Sequence, residues 1–98
     1  MAPSQARAIV VHPSDNVATA LGDLAAGSRV TVERAGRRVR MEVRGAVPRG
    51  HKFALADLRP GEAVVKYGET IGRTSAAVPA GAHVHTHNVQ SERGRGDK

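Results

Sequence analysis

The sequence predicts a mainly β domain of short strands and hairpins, and three observations carry that prediction. First, the 98 residues include eleven glycines and five prolines but one Phe, one Tyr and no Trp. Such a chain turns often, and its core must be built from Val, Leu, Ile and Ala, a composition that favours strands. Second, one phrase recurs four times: "DLAAGSRV" (23–30), "AVPRGHKF" (46–53), "DLRPGEAV" (57–64) and "AVPAGAHV" (77–84). Each runs from an apolar residue through two spacers to a glycine (Gly27, Gly50, Gly61, Gly81), then through two more residues to a second apolar one. Glycine permits positive φ, so the chain can reverse there and enter a strand. Third, in "RVRMEV" Val39, Met41 and Val43 alternate with Arg38, Arg40 and Glu42. That period of two gives one buried and one solvated face.

The elements follow in order. "AIVVH" (8–12) is a first strand. Ser14 or Asp15 can cap a short helix through "NVATAL" (16–21). Arg29 to Arg34 and Arg38 to Val43 form a hairpin about Gly36. "FALADL" (53–58) is a short helical turn or a strand exit. Ala63 to Tyr67 and Thr70 to Ser75 form a second hairpin about "YGE". Ala82 to Val89 is a histidine-rich strand. Residues 1–7 are expected to be a flexible N-terminus, 8–90 one domain, and 91–98 ("SERGRGDK") a disordered charged tail.

Composition excludes several chemistries. With no cysteine there is no disulfide, thiolate metal site or thiol nucleophile. No apolar run is long enough to span a membrane, and the N-terminus lacks the apolar stretch of a signal peptide, so a cytoplasmic protein is expected. The net charge of +6 is concentrated in Arg34, Arg37, Arg38, Arg40, Arg44 and Arg49. A basic surface attracts anions. Nucleic acid is the weaker candidate among them, because no aromatics interleave with the arginines to stack on bases.

Four motifs stand in order over residues 8–89: "VHPSDNVATAL" (11–21), "GHKFAL" (50–55), "VVKYGETIGR" (64–73) and "HVHTHN" (83–88). With the "DL-x-x-G-x-x-V" phrase they resemble the small subunit, or N-terminal domain, of the altronate dehydratase family, a module shared with galactarate dehydratase and sulfolactate sulfo-lyase. The resemblance implies an SAF-type β-clip fold. It also implies lyase chemistry: removal of the 3-hydroxyl of an anionic sugar acid to give a 2-keto-3-deoxy acid. A divalent metal, iron or manganese, is implied with it, shared with a large dehydratase subunit that supplies most of the machinery. The chain ends soon after "HTHN", where a fused protein would continue, so a separate small subunit, inactive alone, is the expectation. The arginine-rich segment 32–50 is unusual for the module and bears on docking or substrate preference.

In an extended strand, residues two apart share a face with Cα atoms about 6.5–7 Å apart, so two imidazoles can meet on one ion. His83, His85 and His87 span about 13 Å between the outer Cα atoms. A straight strand cannot bring all three together; either it bends or one histidine has another task. With the resemblance, His85 and His87 are the expected metal ligands. His51, Lys52 and His83 are the acid or base candidates, and Lys52, Tyr67 and Asn88 the substrate-binding ones. His51 and Lys52 point to opposite faces by alternation, so one of the two reaches the site, and the sequence does not say which. Tyr67 could instead fill the aromatic-poor core. A non-catalytic SAF module that binds a sugar acid or a protein is the alternative, as is a sulfolactate sulfo-lyase-like subunit. A strand edge shaped for a missing partner could also pair with a second copy.

Overall fold

The structure is a computed structural model that describes residues 6–34, 36–85 and 88–91. Among the described residues, nine strands make two sheets. In the larger sheet, β4 (Arg37–Glu42), β3 (Arg29–Arg34), β1 (Arg7–Val10), β2 (Val17–Ala20), β5 (Lys52–Ala54) and β8 (His83–Val84) lie side by side in that order. The neighbours are antiparallel except the parallel pair β1 and β3. The smaller sheet has the order β6 (Ala63–Lys66), β7 (Glu69–Thr74), β9 (Val89–Ser91). The mainly β expectation holds, and no helix among the described residues is long and apolar enough to cross a membrane.

Alternation sorts the large sheet into two faces. Ala8, Val10, Ala18, Ala20, Val30, Val32 and Phe53 are buried on the inner face, with Leu24, Val43 and Val47 from the loops and with Met41 packed alongside. Val17, Ala54 and Val84 occupy the outer face, where the small sheet covers them with Val64 and Ile71. That cover is partial. Ile9, Val11 and Leu21 remain exposed on the uncovered side, along with Arg7, whose guanidinium donates to Glu33 at 2.8 Å.

The segment 16–21 differs from expectation: it contains strand β2, not a helix. Its alanines favour a helix locally. But β2 pairs with β1 on one side and β5 on the other, and is buried on both faces. A helix would leave those ladders open, so tertiary pairing overrides propensity. Of the two readings of residues 53–58, the strand exit is the one found.

All four copies of the recurring phrase adopt one turn. Ser28 N–H donates to Ala25 O, His51 to Pro48, Glu62 to Arg59 and Ala82 to Pro79, at 2.9–3.1 Å. The third residue is always the glycine, at φ between +80° and +86°, the signature of a type II turn. The turns associate in two pairs. Leu24 bridges Val47, and Leu58 bridges Val78. Asp23 accepts Arg49 N–H, and Asp57 accepts Ala80 N–H, each at 2.9 Å. A hairpin lies between the members of each pair.

Candidate functional site

Two of the four turns deliver histidines to one place. His51 closes the turn at Gly50, and β5 follows it. His83 opens β8 just after the turn at Gly81. β5 and β8 pair with Phe53 opposite His83 and Lys52 opposite Val84. Opposite residues share a face, so His83 lies on the inner face with Phe53. Continuing that register sets His51 opposite His85. The ring centroids of His51 and His85 are 4.1 Å apart, those of His51 and His83 5.1 Å, and those of His83 and His85 5.5 Å, with nearly parallel planes.

His51 Nδ1 lies 2.9 Å from His83 Nε2. One ligand nitrogen from each of His51, His83 and His85 lies within 4.8 Å of the other two, and all three rings are half-buried. Two nitrogens bound at right angles to one ion, each about 2.1 Å from it, are about 3.0 Å apart. The donor set, three imidazoles and no thiolate, suits a divalent transition ion. The residues therefore fit the metal that the resemblance implies.

The histidine strand does bend. β8 ends at Val84, and Asn88 N–H donates to His85 O at 3.0 Å. The Asn88 side chain closes this turn: Oδ1 accepts His85 N–H at 2.9 Å and Nδ2 donates to His83 O at 2.8 Å. Asn88 thus holds the backbone of two histidines. His87, one of the two expected ligands, lies outside the described residues, as does the expected tail from residue 92. Among the described residues the group is the expected ligand His85 with the two acid or base candidates His51, from the neighbouring strand, and His83.

Lys52 points the other way, as alternation requires. It shares the outer face with Thr19 and Val84. Partial burial pushes its ammonium below the ordinary lysine range, and the charge of Lys66 lowers it further. Tyr67 is on that side too, more than half exposed at the tip of the β6–β7 hairpin. Tyr67 (φ +57°) and Gly68 (φ +77°) are its two central residues, the type I′ pattern that matches strand twist.

Sequence reasoning missed Asp15. Taken there as a turn and cap residue, it is 2% exposed and ties "HPSDN" to "KYGE". One carboxylate oxygen accepts the N–H of His12 (3.1 Å) and of Tyr67 (3.0 Å); the other accepts Gly68 N–H (2.9 Å). Burial alone would raise this carboxyl. The three N–H donors and the positive charge His12 can carry outweigh it and hold Asp15 below its ordinary value. Asn16 adds two bonds, donating to Ala63 O and accepting Val65 N–H. The only signal in the sequence was an Asp-Asn pair following a proline turn.

A sequence model of the altronate/galactarate dehydratase SAF domain matches residues 6–92. The chain is 47% identical over 83 residues to an altronate dehydratase of Escherichia coli (strain K12), covering 85% of this chain and 16% of that protein. It is 39% identical over 88 residues to the (2R)-sulfolactate sulfo-lyase subunit alpha of Chromohalobacter salexigens, covering 86% of this chain and 94% of that subunit. A galactarate dehydratase (L-threo-forming) of Escherichia coli (strain K12) is 36% identical over 78 residues, covering 78% of this chain and 14% of that protein. The chain thus spans about one-sixth of the altronate dehydratase's length.

Proposed function

The chain belongs to the altronate/galactarate dehydratase SAF-domain family, and from that premise we propose that it is the small, histidine-bearing part of a metal-dependent lyase acting on anionic hydroxy acids. The observation that carries this reading is the convergence of one nitrogen each from His51, His83 and His85. A larger chain completes the enzyme. The lengths of the relatives support that division, since the module is a small part of one and almost all of a subunit named alpha in another.

His51, His83 and His85 would hold a divalent cation, iron or manganese. Bound there, it would supply Lewis-acid stabilisation of charge developing on a substrate carboxylate and the adjacent hydroxyl. The chain's own groups set the conditions. Without a cation, the 2.9 Å contact between His51 and His83 requires one ring to donate and the other to accept. With one, both nitrogens present lone pairs. Phe53, buried on the same face, excludes water from one side. Asn88 keeps one side-chain N–H beyond the one His83 O takes, available to a substrate oxygen. The reaction is loss of the 3-hydroxyl to give a 2-keto-3-deoxy acid, with base and acid shared between this chain and the larger one. The 94% coverage of a sulfo-lyase subunit favours carbon–sulfur cleavage as the second reading.

The test is a cobalt(II) titration followed by visible absorption, with iron(II) and manganese(II) as competitors. Saturable one-to-one binding that is lost in a His83→Ala, His85→Ala double variant is expected. Unchanged affinity in that variant would sink the site. Dehydratase turnover by the isolated chain would overturn the shared-site arrangement.

A further inference from the structure

The two edges of the large sheet are unlike. β8 presents two residues at one edge, whereas β4 presents six at the other. β4 pairs with β3 without a break in register, while the β6–β7 pairing of the small sheet shifts between Val64 and Val65. Val43, just beyond β4, donates its N–H to Ser28 O and accepts Gly27 N–H, so its backbone groups face the β3 side. Successive residues of a strand turn these groups to opposite sides. Val39 and Met41 therefore bond β3, and Arg38, Arg40 and Glu42 turn outward. The edge is stopped at one end. Arg44 N–H donates to Gly81 O at 2.8 Å, and the turn at Gly81 packs against the Glu42 carbonyl. Arg38 and Arg40 keep backbone donors and acceptors that no strand takes among the described residues.

The side chains along this edge alternate too. Arg38 and Arg40 stand on the outer face, opposite Glu33 and Thr31. Val39 stands on the inner face opposite the buried Val32, yet is half-exposed. The nearby acids do not neutralise the arginines. Glu33 accepts Arg7 at 2.8 Å and lies 3.9 Å from Arg38. Glu42 lies opposite Arg29. Arg40 has no ion pair among the described residues. Arg7, Arg29, Arg38 and Arg40 thus share this end of the outer face with two glutamates, Glu33 and Glu42.

Charge on an edge strand often serves to prevent pairing. A guard of that kind puts its charge where an incoming strand would bury it. Here the inner position is Val39, and the arginines sit where an added strand leaves them in water. A second copy does not fit the edge either. Antiparallel pairing of two β4 strands through Arg38 and Arg40 sets arginine opposite arginine in every register: Arg38 with Arg38, Arg38 with Arg40, or Arg40 with Arg40. Like charges directly opposite destabilise a pair.

We propose that β4 is a docking edge for a strand of another protein, an extended acidic segment with carboxylates at two positions two apart and an apolar residue between them. The segment's backbone bonds Arg38 and Arg40, its carboxylates meet the two guanidinium groups, and its apolar residue covers Val39. Adding a strand to a free edge draws affinity from the main chain and specificity from alternate side chains. The proposal depends neither on the histidine group nor on the lyase reading.

The test is an NMR titration of the full chain with a capped peptide of threonines around a glutamate–valine–glutamate centre. Saturable shifts of the Arg38, Val39 and Arg40 amides are expected, with a Kd of about 1 mM. Nuclear Overhauser contacts between the peptide backbone and the Arg38 and Arg40 amides should accompany them. An Arg38→Glu, Arg40→Glu double variant should bind this peptide about tenfold more weakly, and a peptide with lysines in place of the glutamates should restore its binding. Equal binding of the two peptides by the wild type, or shifts without backbone contacts, would overturn the strand addition. Concentration-dependent shifts of β4 without peptide would assign the edge to a second copy. An oligothymidylate that shifts the same amides more tightly than the peptide would assign the arginines to phosphate. Either of these last two results would overturn the acidic partner.

Discussion

His51 Nδ1 and His83 Nε2 meet at 2.9 Å across 32 positions of sequence, and the two rings are held by different means. His51 stands at the start of a strand hydrogen-bonded on both sides. His83 and His85 depend on the turn that Asn88 closes. Asn88→Ala removes both side-chain bonds without touching a ligand atom. We expect it to weaken cobalt(II) binding by about 10–100-fold, the usual cost of losing a group that orients metal ligands. Thermal unfolding should show the fold intact.

Asp15 links stability to pH. Its folded carboxyl titrates below the ordinary value of 3.8, so the folded state favours the ionised form. The stabilisation is fully present above that ordinary value and is lost as pH falls through the lower folded value. Asp15→Asn cannot offer two anionic oxygens to three N–H groups. It should cost about 2–3 kcal/mol at pH 7. Urea unfolding as a function of pH should show the wild type losing stability below about pH 4 and the variant showing less of that loss.

Lys52 acts in the opposite sense. Its folded ammonium titrates below the ordinary 10.5, through burial first and Lys66 second, so its charged form is disfavoured by folding. That cost is present at neutral pH and fades as pH rises through the folded value towards the ordinary one. Lys52→Met should raise Tm by about 2–4 °C at pH 7. The advantage should shrink as pH approaches 10.5.

The turn glycines are not equivalent. Gly50 and Gly81 both have positive φ, but a Cβ at Gly50 meets nothing within 4 Å, whereas one at Gly81 collides with the carbonyl oxygen of Glu42. Gly50→Ala should cost about 1–2 kcal/mol for the conformation alone. Gly81→Ala adds a backbone clash worth about 1–3 kcal/mol more. Chemical denaturation of the two variants compares them directly, with Gly22→Ala, in open space, as the reference.

The parts of the fold carried by local patterns were legible in the sequence. The glycine in each turn reflects forces acting within a few residues; the alternation expected in β4 holds for Met41 and Val43, but Val39 is half-exposed because β4 is the edge strand of the large sheet. Helix expected over 16–21 became strand because its partners lie at residues 8–9 and 52–54, beyond any local window. The site divides the same way. Strand geometry already required that the histidine strand bend or that one histidine have another task, and alternation already separated His51 from Lys52. That the third nitrogen comes from His51 depended on the register of β5 against β8. Asp15 was illegible as a clamp because its acceptor role is set by amides 52 and 53 positions away.

The paired turns also describe a duplicated plan. Residues 23–53 and 57–84 each run turn, hairpin, turn, with Leu24 and Leu58, Val47 and Val78 in matching places. Counted from its turn glycine, His51 corresponds to Ala82, His83 to Lys52, and His85 to Ala54. No histidine of the group has a histidine at the corresponding position of the other half. The scaffold is nearly symmetric and its chemistry is not: each half contributes a different part of one nitrogen face, and neither half alone contains it.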